Sequence, residues 1–242
     1  MISNLLRNLP EVVKNLLIIN VLMFFGVQLF PQYNEFLALH NIGSELFMPH
    51  QLITHIFMHG SFAHLLFNMF ALGMFGSTLE KVWGGKKFLI VYFVSAAGAL
   101  FLQLLFNYYN YSSAIAGYST SEIEQIKEIV SVIDFSSQYP RFLIPGIEAE
   151  LYNNVGMVGA SGAIMGLLAA FAYLFPNTEL MLIFLPIPVK AKYFIPFYML
   201  VELFLGVNRF EWDNIAHFAH LGGAIAGFIL VFIWNKKRDS FY

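Results

Sequence analysis

The sequence predicts an all-α protein, a polytopic membrane helix bundle with six transmembrane helices, and three observations carry that expectation. Of its 242 residues, 58% are hydrophobic and 12% charged, against a charged share of roughly 25% in ordinary soluble domains. The apolar residues fall into six nearly uncharged runs, and a crossing of a ~30 Å hydrocarbon core needs ~20 residues. The basic residues concentrate at the ends of alternate runs, as they do where loops stay on one side of a membrane.

The six runs lie at about 15–32, 61–79, 88–106, 159–175, 193–208 and 214–234. Arg7 and Lys14 precede the first in the manner of a signal peptide, but no small-x-small cleavage site follows, so this run reads as a retained span. Gly60 breaks the segment before the second, Ser61 is placed to cap its first turn, and Lys81, Gly84 and Gly85 end it. The fourth, from Ala160 to Phe175 before Pro176, has 16 residues. At ~24 Å it is short for the core, which places its start below the membrane surface.

Six spans put both termini on one side. With the termini inside, Arg7, Lys14, Lys81, Lys86, Lys87, Lys190, Lys192, Lys236, Lys237 and Arg238 are internal, against Lys127, Arg141 and Arg209 outside. That bias satisfies the positive-inside rule. The basic residues form no common face, which excludes nucleic acid as an expected partner, and the absence of cysteine excludes disulfide and thiolate chemistry. Residues 1–242 read as a single domain with an extended, acid-rich outer loop at about 107–158, carrying Glu122, Glu124, Glu128, Asp134, Glu148 and Glu150. Within it, Ser121 and Glu124 have capping-box spacing, and Ile123, Ile126, Ile129 and Val130 follow at helical spacing. A short amphipathic helix on the outer surface is expected there.

Polar groups within hydrocarbon are costly and commonly line a cavity or perform chemistry. Three clusters stand out: His55, His59, His64 and Asn68 leading into the second run, Gly159-Ala160-Ser161-Gly162 opening the fourth, and His217 with His220 in the sixth. Each lies near the N-terminal end of an even-numbered helix, so all three face the same leaflet. Counting ~1.5 Å per residue, Asn68 lies ~10 Å past Ser61 and His220 ~10 Å past Asn214, a depth that the sunken start of the fourth run shares. A serine in the first turn of a buried helix has a backbone N–H without an intrahelical partner and the positive end of the helix dipole beside it. His220 is then placed to act as general base toward Ser161, with His64 and Asn68 donating to an oxyanion. Gly162 and Gly166, like Gly223 and Gly227, have G-x-x-x-G spacing, which permits close helix contact.

These residues resemble the rhomboid family of intramembrane serine proteases. The matching pieces are His55-x3-His59-x4-His64-x3-Asn68, Gly159-Ala160-Ser161-Gly162 and Ala219-His220-Leu221-Gly222-Gly223-x3-Gly227, in order, within a likeness running from about Met48 to Ile233 that includes Glu80 and Pro186-Ile-Pro-Val-Lys-Ala-Lys192. The resemblance implies a Ser161–His220 catalytic dyad and an oxyanion hole from His64, Asn68 and the Ser161 backbone N–H. It implies hydrolysis of a peptide bond in or near the transmembrane segment of membrane-protein substrates, with the lipid bilayer as surroundings, no cofactor and no metal. With the charge bias, it implies a multi-pass protein of a bacterial cytoplasmic (inner) membrane with cytoplasmic termini. It selects His220 over His217 as base, leaving His217 a hydrogen-bonded structural role, and it makes His55 and His59 anchors near the mouth. The sequence specifies neither the oligomeric state nor the natural substrate.

Two positions depart from the family pattern. Met165 stands where an aromatic ring usually packs on the catalytic histidine, and His50 stands where a tryptophan often precedes Gln51. Glu202, about ten residues into the fifth run, is an intramembrane acid expected to be protonated or hydrogen-bonded, with a gating role as the alternative. Among rival functions, a zinc protease would need a glutamate where Ile56 stands between His55 and His59. A client-binding rhomboid relative without activity usually lacks the serine or histidine that this chain has. A transporter would show inverted repeats and midplane sites, which are not seen. The G-x-S-x-G elbow of soluble hydrolases is broken by Ala163.

Overall fold

The computed structural model describes residues 8–131, 145–154, 156–182, 185–210, 213 and 215–239. Arg7, Asp134, Arg141 and Asn214, used above for topology, charge or depth, lie outside the described residues. Eleven α-helices are named here in chain order: α1 (Glu11–Leu29), α2 (Asn34–Leu37), α3 (Gln51–Thr54), α4 (Phe62–Ala71), α5 (Ser77–Trp83), α6 (Gly85–Ile115), α7 (Thr120–Ser131), α8 (Pro145–Asn154), α9 (Ser161–Leu174), α10 (Ala191–Asn208) and α11 (His217–Asp239). A π-helical stretch, Leu72–Gly76, joins α4 to α5, so the second span runs unbroken from Phe62 to Trp83.

Among the described residues, four helices are long and apolar enough to cross a membrane: α1, the joined α4–α5, α6 and α11. The 14-residue α9 and the 18-residue α10 complete the six expected positions. Burial explains the shortness of α9. Every residue from Gly162 to Phe171 is buried, so this helix, ~21 Å long, is the axis of the bundle. The outer helices show lipid-facing apolar side chains instead, such as Leu22, Phe101 and Phe197, each more than 60% exposed. Outside lipid such exposure would be unfavourable; in lipid it costs nothing.

Helix ends follow local chemistry. Ser61 Oγ accepts the His64 N–H at 3.1 Å and caps α4. The buried Glu80 carboxylate accepts the N–H groups of Val12 at 3.0 Å and Val13 at 2.8 Å, supplying the start of α1 with both acceptors and a negative charge. The outer loop differs from its expected form. Helix α6 continues to Ile115 rather than ending near 106, and the capping box sits two residues earlier, with Ser119 N–H donating to Glu122 at 2.7 Å and Glu122 N–H to Ser119 Oγ at 3.4 Å. The apolar face of α7 is covered by protein: Ile126 and Val130 are buried with Ile147 of α8.

One small β element breaks the helical pattern. Glu179–Leu182 (β1) pairs antiparallel with Leu185–Lys190 (β2), Glu179 opposite Lys190. Pro186 and Pro188 disfavour helix in the second segment, and the hairpin turns the chain from α9 into α10.

Candidate active site

Ser161 is the first residue of α9, and two backbone features put it there. Gly159 has φ of +134°, a conformation natural to glycine, and its N–H donates to the His55 carbonyl at 2.9 Å. Two residues earlier, Met157 exchanges backbone hydrogen bonds with Leu39 at 2.8 and 2.9 Å. A side chain at Gly159 would also meet the His64 ring at 2.9 Å and Ser161 Oγ at 3.4 Å. The serine hydroxyl and the His64 imidazole thus meet across a residue that presents no side chain. Ser161 is only partly buried and lines a cavity of about 20 Å³ with His55, Met157, Val158, Gly159 and Ala219, room for roughly one water.

Close packing brings α11 alongside. A methyl group at Gly223 would overlap the carbonyl of Gly162, and one at Gly227 would come within 2.6 Å of the Gly166 backbone. The two G-x-x-x-G faces therefore mesh with each other, as their spacing predicts. A third helix joins them: α6 packs its Gly98 against Gly222, its Ala99 against Gly162 and its Ser95 against Gly166. Gln103 of α6 accepts the Ala219 N–H at 3.0 Å, satisfying a donor in the first turn of α11.

The two histidines of α11 differ in their bonding. His217 is engaged at both ring nitrogens, Nδ1 with Glu202 Oε2 at 2.6 Å and Nε2 with Asp213 Oδ2 at 2.8 Å. His220 Nδ1 lies 3.0 Å from the same Glu202 oxygen, at ion-pair distance but without hydrogen-bond alignment. On α4, Asn68 is buried and its Nδ2 has no hydrogen-bond partner. An amide donor held out of water without a partner costs about 1–3 kcal/mol.

His55 anchors the mouth as expected, through its carbonyl and through Nδ1, which lies 2.7 Å from the Gln51 carbonyl. His59 does not anchor in that way: it is buried with both ring nitrogens unpartnered, its ring 5.0 Å from that of His64. The His50 ring packs tilted against that of Phe36, centroids 4.3 Å apart, and its Nε2 lies 2.6 Å from the Phe36 carbonyl. Met165 is buried. Sequence reasoning missed Gln51 as an organiser: fully buried, it accepts from His40 N–H at 3.3 Å and Met48 N–H at 3.1 Å and donates to the Leu46 carbonyl at 3.0 Å. It also missed the contact of Glu202 with His220, for which the only sequence signal was an acid within an apolar run. Among the described residues, no group of three or more acidic or histidine side chains is arranged to hold a metal ion.

The chain is similar in sequence to known proteins. The chain is 29% identical over 232 residues to Rhomboid protein 1, mitochondrial, of Saccharomyces cerevisiae, covering 95% of this chain and 55% of that protein. It is 27% identical over 194 residues to the putative rhomboid protease YdcA of Bacillus subtilis, covering 79% and 70%. It is 26% identical over 180 residues to the rhomboid protease AarA of Providencia stuartii, covering 72% and 51%. The chain thus spans about half the length of the yeast and Providencia relatives. The model of the Rhomboid domain matches residues 47–237. That match takes in α3 through nearly all of α11 and with them every helix that contributes to the site, so the chain belongs to the rhomboid family.

Proposed function

We propose that this multi-pass membrane protein is an intramembrane serine endopeptidase that hydrolyses a peptide bond in or near the transmembrane segment of membrane-protein substrates, with Ser161 and His220 as catalytic dyad. The observation that carries the reading is the meshing of Gly162 with Gly223 and of Gly166 with Gly227, which holds the start of α9 against the helix that bears the histidine. His220 Nε2 takes the Ser161 hydroxyl proton as Oγ bonds to the scissile carbonyl carbon, and the carbonyl oxygen becomes the oxyanion. The Ser161 N–H, Asn68 Nδ2 and His64 receive that oxyanion. The imidazolium then gives its proton to the departing amine as the C–N bond breaks; water, deprotonated by the same histidine, bonds to the acyl carbon, and the C–Oγ bond breaks as the imidazolium returns its proton to Ser161 Oγ and the carboxylic acid leaves.

His217 is the weaker base candidate because both of its nitrogens are taken. We take residues 1–242 as one catalytic domain working within the lipid bilayer without cofactor or metal. From the basic bias we infer cytoplasmic termini, and we take the membrane to be a bacterial inner membrane; two of the relatives are from the bacteria Bacillus subtilis and Providencia stuartii, while the yeast relative is named as mitochondrial. The test is activity profiling in detergent or liposomes with a serine-directed fluorophosphonate. Labelling is expected in the wild type and absent in Ser161→Ala, and unaffected by chelators. Labelling that survives Ser161→Ala, or inhibition by a chelator that zinc reverses, contradicts the reading.

A further inference from the structure

Glu202 is the single acid in the apolar stretch Phe194–Gly206 of α10, it is 3% exposed, and one oxygen, Oε2, faces two imidazoles of α11. An acid buried in a membrane bundle is costly unless paired, and where it persists it usually serves a site. Here the partners are unequal. His217 holds the carboxylate in an aligned 2.6 Å bond and is itself held by Asp213, so it fixes Glu202 in place. His220 meets the same oxygen at 3.0 Å through Nδ1 alone.

We propose that Glu202 is a positioning residue for His220: its carboxylate selects the tautomer with the proton on Nδ1, leaves Nε2 facing Ser161 as the base, and stabilises the imidazolium that forms in the transition state. The proposal rests on the assignment of Ser161 and His220 made above. The arrangement follows the general logic of an acid that orients a catalytic histidine without itself taking the proton. It also supplies a restraint on His220 in a chain that has Met165 where family resemblance leads one to expect an aromatic ring. The resting contact is misaligned, as catalytic hydrogen bonds often are before substrate binds. The groups that face this pair are His217 and, beyond it, Asp213, Tyr198 one turn earlier on α10, and His64 across the site.

The experiment compares Glu202→Gln and Glu202→Asp with the wild-type full chain in liposomes, measuring kcat and KM on a transmembrane substrate, the rate of fluorophosphonate labelling, and the thermal midpoint. Glu202→Gln is expected to lower kcat and the labelling rate together by about 10- to 100-fold, part of the general-base contribution, with KM within about two-fold. Glu202→Asp should recover part of the loss, because the charge is restored one methylene further back. Wild-type kcat and labelling in a folded Glu202→Gln overturn the proposal. So does an aspartate variant that folds but is no faster than the glutamine variant, and if Glu202→Gln does not fold, a folded Glu202→Asp with KM raised and kcat unchanged does the same. Failure of the underlying assignment reads differently, as labelling that persists in Ser161→Ala.

Discussion

Where α6, α9 and α11 meet, a methyl group added to Gly98, Gly162, Gly166, Gly222, Gly223 or Gly227 would crowd or overlap a neighbouring atom, whereas at the mouth, around His59 and Asn68, buried nitrogens have no partner at all. The seam is close-packed throughout, with Ser95 Oγ as an unpartnered polar atom of its own, while the mouth gathers three unpartnered nitrogens. In a bilayer there is no hydrophobic force to press helices together, so close backbone approach has to supply the association. That approach fixes the start of α9 relative to α11 to within the small tolerance that catalysis requires. The mouth serves the opposite need. Unpartnered donors are destabilising, and in the proposed mechanism the oxyanion would satisfy Asn68 Nδ2.

The largest effect is expected from breaking the seam. Gly223→Leu should remove cleavage activity altogether, since a shift of the reacting groups by ~1 Å already costs ~10²-fold and the Gly162 carbonyl leaves no room even for a methyl group. Gly26→Ala in α1, where no atom lies within 4 Å of the added methyl, should leave cleavage unchanged. Equal losses in both variants, assayed after matching for folded protein, would mean that the seam has no special role.

At the mouth, Asn68→Ala should lower turnover by ~10²- to 10³-fold, the usual cost of one oxyanion donor, or less where His64 compensates. KM should change little. Unchanged turnover with a raised KM would reassign Asn68 to substrate binding.

The contrast also marks what the sequence made legible. The glycine spacing, the capped start at Ser61 and the three polar clusters are local patterns, and the spans, the meshing of α9 with α11 and the approach of His64 to Ser161 were readable from them. The roles of Glu202, Gln51 and Gln103 were not, because each depends on a partner in another element: Glu202 meets His220 across two helices, and Gln103 serves Ala219, 116 residues away. The capping box was misplaced by two residues because Ser119 and Ser121 precede Glu122 and Glu124 with the same spacing, and only the hydrogen bonds separate the two pairs. The β1–β2 hairpin was missed because its pairing is tertiary and its segments are short.

Away from both regions, effects should be smaller. Glu80→Gln removes the charge at the start of α1 and one of its two acceptors, and should cost about 1 kcal/mol of stability, seen as a lower thermal midpoint with activity retained; an unchanged midpoint would deny the capping role.

The loop that braces Met157 should respond to pH. His40 Nδ1 lies 2.9 Å from the Asn154 carbonyl, and Nε2 lies 3.1 Å from a Glu35 carboxylate oxygen. Burial lowers the His40 pKa, but the hydrogen bonds and the Glu35 charge outweigh it and the net shift is upward, while the bond to His40 outweighs burial and draws Glu35 down. The raised histidine contributes stability that is complete below its ordinary value of about 6.5 and is lost as pH rises through its folded value; the depressed glutamate contributes above its ordinary value of about 4.3 and loses it as pH falls through its own. Amide protection in residues 35–51, taken relative to the intrinsic exchange rate at each pH, should therefore be greatest between those limits and should fall on either side, by an amount that salt reduces because Glu35 is largely exposed. A flat profile would remove the ion pair from the account.

The measurement closest to the central claim sets His220→Ala beside His217→Ala, both purified in folded form and assayed on a transmembrane substrate with a small residue at the cleavage point. His220→Ala should show no cleavage, because an unassisted serine at neutral pH is a poor nucleophile. His217→Ala should retain measurable cleavage with a lower thermal midpoint, having lost its bonds to Glu202 and Asp213. An active His220→Ala together with an inactive, folded His217→Ala would contradict the assignment of the base.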